Sequence, residues 1–495
     1  MGPSGALYIR YLTLESVLMS PVLRVKRLRT SFIVVFFTML FAGLETSAFA
    51  QATPAPQRQQ LLNGLRILIW PSTVDQDVLL KLRIHSGAAF DLAGKSGGMA
   101  LLGDILFPDP ATREYFTDEM QGRLNATTNY DSITITMRGR ASEFERIVEI
   151  LRTALATTQI TPENVAKVRD GRIKVVRGIG ISPTILADRA IATRLFGDFP
   201  YGQPYTGSVE SLGRVDRADL LLARDRFLNP NNSTLVIIGN VQTTRAMRTL
   251  RQLLGVWRKS ERIVPATFRQ VEPPDARTLI INAPTDQSAE IRLATRGLAR
   301  SDRDFAAATM LATIARERWQ NLVPVLKHSP VFVRHEARVL PGMFVMGATV
   351  DSSVTAKSLE AARHALQSLV TAPASAAELE QAKNEAIVEA RKELATPDGV
   401  AEAWLNIDTY NLPSLDEQLQ VLSGVSANDL QRTATRLFHD AAIASVVAGN
   451  SERLRAELEP HVKVELLGEI KKNEPKPTGP ESKPTSRPSP ATKPD

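Results

Sequence analysis

Six histidines and no cysteine make up the chain's nitrogen and sulfur metal ligands, so any chemistry must be built from His, Asp, Glu, Lys or Ser. Three short patterns invite it. Gly94-Lys95-Ser96-Gly97-Gly98 fits G-x-S-x-G, the turn that raises a nucleophilic serine between a strand and a helix, but Phe90 to Ala93 reads as loop where the strand should stand. Gly94-Lys95-Ser96 also ends like a phosphate-binding loop, with Ala89 where the first glycine is required. Gly178-Ile179-Gly180 opens like a dinucleotide fingerprint whose third glycine position is Pro183. His328, His335 and Glu336 lie near one another, but not at the i, i+4 spacing that puts two ligands on one helical face, so hydrogen-bonded or solvated histidines are expected. His85, His364, His439 and His461 are isolated.

The elements that would position such groups come as a theme given twice. Strand-like runs at Leu65 to Trp70 and Val78 to Ile84 are followed by helical stretches at Gly98 to Phe107, Ser142 to Thr157 and Thr184 to Leu195, then by a buried strand at Ser233 to Gly239. Strands at Thr278 to Asn282 and Glu290 to Ala294 restart the theme. A helix from Arg303 to Leu322, a strand at Met343 to Val350, helices at Lys357 to Thr371 and Ala376 to Leu394, and a strand at Ala442 to Ala448 complete it. The Arg/Glu-rich face of Glu378 to Glu393 reads as solvated. The fold class expected is α+β, with two homologous halves, each an antiparallel or mixed sheet packed with helices. The halves are placed at 61–259 and 278–467, joined by a Pro-containing linker at 260–277.

Length and composition agree. A chain of 495 residues exceeds one ordinary core, and 43% hydrophobic with 23% charged residues is a soluble, globular balance. The formal charge of +7 sits at the ends: residues 1–50 hold five basic and two acidic side chains, and Lys471 to Asp495 hold six and three. The body between is close to neutral, so nothing asks for nucleic acid. Arg24, Lys26, Arg27 and Arg29 precede an apolar run from Ser31 to Gly43 and Ala48-Phe49-Ala50, the pattern of a cleaved signal peptide in residues 1–50. That run is too short to span a bilayer, which makes a retained anchor the poorer reading. An exported chain without cysteine is expected in a bacterial periplasm or secreted beyond it. A polar leader at 51–60 and a Pro/Lys-rich, disordered tail at 468–495 flank the halves.

Five segments then carry a family resemblance, in order. Leu62-Asn63-Gly64-Leu65-Arg66-Ile67 resembles the "LxNGLxV" opening strand of insulinase-like (pitrilysin-type, inverzincin) and mitochondrial-processing-peptidase-like proteins. Ser86-Gly87-Ala88-Ala89-Phe90-Asp91 with Gly94-Lys95-Ser96-Gly97 is similar to their "GSxxDxxGKxG" loop, and Asn125-Ala126-Thr127-Thr128 to "NAxT". Phe196-Gly197-Asp198-Phe199-Pro200-Tyr201-Gly202 resembles "FGxHPYG", and Asn229-Pro230-Asn231-Asn232 the segment before a late strand. Weaker similarity continues at Pro341-Gly342-Met343-Phe344 and Ala448-Gly449-Asn450.

The resemblance implies a clamshell of two related halves and, in active members, zinc held by H-x-x-E-H on the helix after the loop, with a later Glu completing the shell. In that register the first His position is Ala100, the Glu position Gly103 and the second His position Asp104. No glutamate occurs from Asn164 to Ser208, and Arg172, Lys174 and Arg177 crowd the helix expected to supply the last ligand. No catalytic, cofactor or metal residue is therefore assigned, although zinc is the family's metal. Some members work in pairs, one chain holding zinc and the other offering an Arg and a Tyr; those positions here are Val323 or Val325, and Phe332 or Pro330. The resemblance thus implies a non-catalytic subunit that completes a peptide-enclosing chamber with a zinc-bearing partner. Two alternatives stand beside it: an active zinc endopeptidase with an atypical site around Asp104, and a peptide-binding or envelope-assembly scaffold.

Overall fold

The computed structural model describes residues 55–73, 76–179, 182–260, 272–285 and 287–468. Residues 1–50, expected to be a signal peptide, most of the expected tail, and residues 261–271 of the expected linker lie outside the described residues. Among the described residues no helix is long and apolar enough to cross a membrane.

The aliphatic, β-branched runs form two six-stranded sheets. The first contains β1 (Gln57–Gln60), β2 (Arg66–Pro71), β3 (Asp77–Ile84), β4 (Arg123–Thr128), β5 (Ile133–Arg140) and β6 (Ser233–Gly239), in the order β1-β2-β6-β3-β5-β4. The second contains β7 (Thr278–Asn282), β8 (Ser288–Arg296), β9 (Val331–Glu336), β10 (Met343–Asp351), β11 (Ala444–Gly449) and β12 (Val464–Leu466), in the order β12-β7-β11-β8-β10-β9. Both are mixed: β2 runs parallel to β6, and β7 parallel to β11 and β12, while the other pairs are antiparallel. The core of each order repeats, with β2, β6, β3, β5 and β4 matching β7, β11, β8, β10 and β9. Strands β1, β4, β5 and β12 have no counterpart in the strands expected from the sequence, and β1 departs furthest. The stretch taken as a polar leader supplies β1, whose exposed Gln and Arg side chains carry no apolar signal and whose pairing with β2 is made by backbone groups alone.

The helices repeat too. The first half carries α1 (Gly98–Ile105), α2 (Pro110–Asp118), α3 (Phe144–Ala156), α4 (Pro162–Ile179), α5 (Pro183–Phe196), α6 (Val209–Gly213), α7 (Arg217–Phe227) and α8 (Thr243–Leu254). The second carries α9 (Phe305–Leu322), α10 (Thr355–Thr371), α11 (Ala376–Glu393), α12 (Pro397–Tyr410), α13 (Leu415–Gly424), α14 (Ala427–Phe438) and α15 (Ser451–Leu458). Most helices of each half pack on the inner face of their own sheet, where Ile67, Leu80, Leu82 and Ile135 face α3 residues such as Ile147 and Leu151. The α11 face, expected from the sequence to be solvated, does more than meet water. Glu378 and Glu385 hold Arg318 and Arg316 at 2.7 and 2.8 Å, so charges dock α11 on α9.

Two helices are exchanged. Helix α5 leaves its own half to lie on β8 and β11, burying Ala187, Ile191 and Leu195 against Leu279, Ile281, Val446 and Ala448. Helix α12 returns the arrangement on β6 and β3, where Val400, Ala401, Trp404 and Leu405 meet Leu68, Leu79, Val236 and Ile238. The charges follow the same symmetry. Lys81 pairs across the ladder with Val236, three residues before Gly239, as Arg292 pairs with Val446, three before Gly449. Lys81 reaches Glu402 at 2.9 Å and Arg292 reaches Asp188 at 2.5 Å, and each acid lies five residues after the proline that opens its helix. Burial alone would raise the Glu402 carboxyl, but the Arg83 and Lys81 cations outweigh it and hold it below the ordinary value.

Candidate functional site

The loop that resembles "GSxxDxxGKxG" is a cap for α1. Asp91 accepts from the backbone N–H of Gly97 at 2.6 Å and of Met99 at 2.7 Å, tying down the orphan donors of the helix start. Burial pushes its carboxyl up to about 7 in spite of those two bonds. Gly97 sits at φ +91°, and a Cβ there would come within 2.8 Å of the Gly207 Cα, so the glycine lets two loops cross. Lys95 is held by Asp219 at 2.5 Å, and Ser96 is buried with its hydroxyl donating to Ser211. Neither has a nucleophile's or a phosphate cradle's surroundings, and the residues ahead of them form a single 3₁₀ turn, Ala88–Phe90, in place of a strand.

On α1 the three family positions have separate fates. Ala100 is buried and offers no donor atom. Gly103 presses against β4: a Cβ there would meet the Thr128 hydroxyl oxygen at 2.8 Å and the Ile133 side chain at 3.5 Å. Asp104 turns to α4, where Arg172 donates to both of its oxygens, Nε at 2.6 Å and Nη2 at 2.8 Å. Lys174 and Arg177 point away and are exposed. Zinc wants three or four nitrogen, sulfur or carboxylate ligands in tetrahedral array. The residues present do not fit it: one carboxylate remains, and a guanidinium occupies both its oxygens. Among the described residues no group of three His, Asp or Glu side chains is arranged to hold a metal ion.

The Asp104–Arg172 pair is bidentate and about one-fifth exposed on either side. Charge-assisted, planar pairing of this kind lies between a solvent-exposed bridge and a buried one, so the coupling energy is expected at about 1–2 kcal/mol. A double-mutant cycle of Asp104→Ala and Arg172→Ala, read by urea unfolding, measures it. A coupling near zero would mean that the two side chains do not hold α1 to α4.

The positions that the resemblance implies for a helper Arg and Tyr carry neither residue. Val323 is buried at the end of α9, Val325 and Pro330 are exposed, and Phe332 lies with Arg292 and Arg334 near its ring, at 5.0 and 4.1 Å. His328 is exposed. The His335 Nε2 accepts from the Leu298 N–H at 2.9 Å, and burial pushes the imidazole down to about 4, so it is a neutral core histidine. His85 is likewise lowered to about 3 by burial and bonded to Thr234 and Thr409. Sequence reasoning marked Arg172 only as a cation hostile to metal; its partner Asp104 lies on another helix and carried no signal of the pairing.

Comparisons with known proteins fit this geometry. Residues 214–386 match the family described as "Peptidase M16 inactive domain". An uncharacterized zinc protease of Rickettsia felis is 22% identical over 217 residues, covering 42% of this chain and 52% of that protein. A second, from Rickettsia bellii, is 20% identical over 415 residues, covering 79% and 97%. The crystal structure of a protease from Helicobacter pylori shares the fold at a TM-score of 0.73 and 16% identity, over 80% of this chain and all of that one. The chain spans about half the length of several of the curated relatives it matches. Together these findings bear out the resemblance to the insulinase-like, M16-type peptidases and the two-halved α+β fold that it implied.

Proposed function

We propose that the chain is a pseudopeptidase: an exported, insulinase-like subunit that holds no zinc and completes the peptide-enclosing chamber of a zinc-bearing relative. The observation that carries this reading is the Asp104–Arg172 ion pair, which joins the second His position of α1 to the helix from which active members draw their last ligand. A guanidinium in that place both consumes the remaining carboxylate and repels a divalent cation. The description of the matched family as an inactive domain, and the basic, apolar, small-residue pattern of residues 1–50, support the same reading.

Zinc bound to the purified chain after equilibration with zinc-containing buffer and removal of excess metal tests the first part. Well under one equivalent per chain is expected. One tightly held equivalent would return the atypical-site enzyme to the lead. Co-purification from the native host tests the second part. A zinc-containing M16 chain in stoichiometric amount is expected, and peptide hydrolysis by that partner should rise when the two are mixed. A stable monomer with no such partner would favour a scaffold role instead.

A further inference from the structure

The exchanged helices leave two related pockets on the outer faces of the sheets. One, of about 470 Å³, lies on β3, β5 and β4 beside α12. The other, of about 390 Å³, lies on β10 and β9 beside α5. The strand register makes them counterparts. Asn125, Thr136 and Lys81 form one row across the first sheet, and Phe332, Gly347 and Arg292 the same row across the second.

The rows have diverged. The first pocket is floored by Asn125, Thr127, Thr134 and Thr136, whereas the second is walled by Phe332, Ile191, Met343, Val345 and the rings of Tyr130 and Tyr205. Gly347 permits this, because a Cβ there would lie 2.3 Å from the Phe332 ring, which occupies that space.

The second pocket also carries more positive than negative charge. Arg189, Arg334 and Arg338 all line it. Of its two carboxylates, Asp188 is committed to Arg292 at 2.5 Å, and Glu336 is shared by Arg338 at 3.3 Å and Arg334 at 3.8 Å. The Arg189 side chain, on α5 and half-buried, makes no hydrogen bond or ion pair with another described residue. A planar guanidinium with free donors, set in an apolar and aromatic wall, is suited to a carboxylate carried on an apolar body.

We propose that this pocket is a binding site for such a group: an apolar or aromatic residue with a free carboxylate, as at the C-terminus of a peptide or in a free N-acylated amino acid, its carboxylate on Arg189 and its side chain against Phe332 and Tyr130. The site lies wholly within this chain, so the inference stands whether or not a zinc-bearing partner exists.

Calorimetric titration of the full chain with N-acetylphenylalanine, its C-terminal amide, and an N-acetylated tripeptide ending in phenylalanine tests it. The acid is expected to bind at least about tenfold more tightly than the amide. Arg189→Gln should remove that preference without moving the melting temperature, and Arg189→Lys should restore part of it. Arg123→Gln, in the polar counterpart pocket, should change nothing. Tighter binding of the tripeptide than of the single residue would identify a peptide end as the ligand, and equal binding a free acid. Equal affinity for acid and amide, no binding at low-millimolar ligand, or an unaffected Arg189→Gln would overturn the proposal. Should Arg189→Gln fail to fold, Arg189→Met, which keeps the length of the stem without the guanidinium, is expected to remove the preference in its place.

Discussion

Replacing Trp404 by alanine is expected to remove about 3–5 kcal/mol of stability, the range for deleting a large, fully packed aromatic side chain. Trp404 belongs to the second half but is buried to 2% exposure on the first half's sheet, edge-on to Trp70 with ring centroids 6.0 Å apart. Its loss opens a cavity among Leu68, Leu79, Val236 and Ile238, none of which can follow α12 without leaving the sheet. The damage therefore falls on the seam between halves. Urea unfolding followed by tryptophan fluorescence and by circular dichroism should show one transition, shifted to lower urea, with both signals coincident. Trp319→Ala gives the contrast: that indole is buried inside the second half and donates to the Ser358 carbonyl at 2.9 Å. Two separated transitions in the Trp404 variant would show that the halves fold independently and that the exchanged helices are incidental.

Gly103→Glu is the second large effect. It places a glutamate where the resemblance implies one in active members, yet it is expected to destabilise the chain by about 3–5 kcal/mol, the scale for an uncompensated buried charge. A side chain there must push aside the Thr128 hydroxyl and Ile133 and bring a carboxylate among apolar groups. Gly103→Ala should be close to neutral, because the gain in helix propensity of about 1 kcal/mol is offset by the squeeze on Thr128. Thermal melts of the two variants beside the parent chain make the comparison. A Gly103→Glu protein as stable as its parent would mean that the space between α1 and β4 is open and that the site has merely been emptied.

Much of this was legible beforehand, for identifiable reasons. Residues 233–239 and 278–282 were read with their observed ends because continuous β-branched runs between turn residues admit little else. The motif register on α1 followed from flanking glycines whose backbone roles are now visible at Gly97. What escaped is what periodicity cannot carry. Val400, Ala401, Trp404 and Leu405 announce an apolar helix face, but nothing in their spacing says which sheet it covers. Likewise β1, with the sequence Gln-Arg-Gln-Gln, adds to the edge of β2 by backbone pairing that no side-chain pattern announces. The residues at positions 100, 103 and 104 could be read one by one, while the Asp104–Arg172 ion pair needed two helices to be seen together.

The exchange of α5 and α12 makes the chain an internal dimer. Each half hands the other a helix and a carboxylate, the kind of reciprocal patch that twofold oligomers bury between separate subunits. The covalent connection then acts chiefly through effective concentration, keeping two self-complementary bodies together rather than bearing the force between them. In a polypeptide organised in this way the clasp lies on the sheet faces opposite α1, so changes at Ala100, Gly103 or Asp104 leave it untouched.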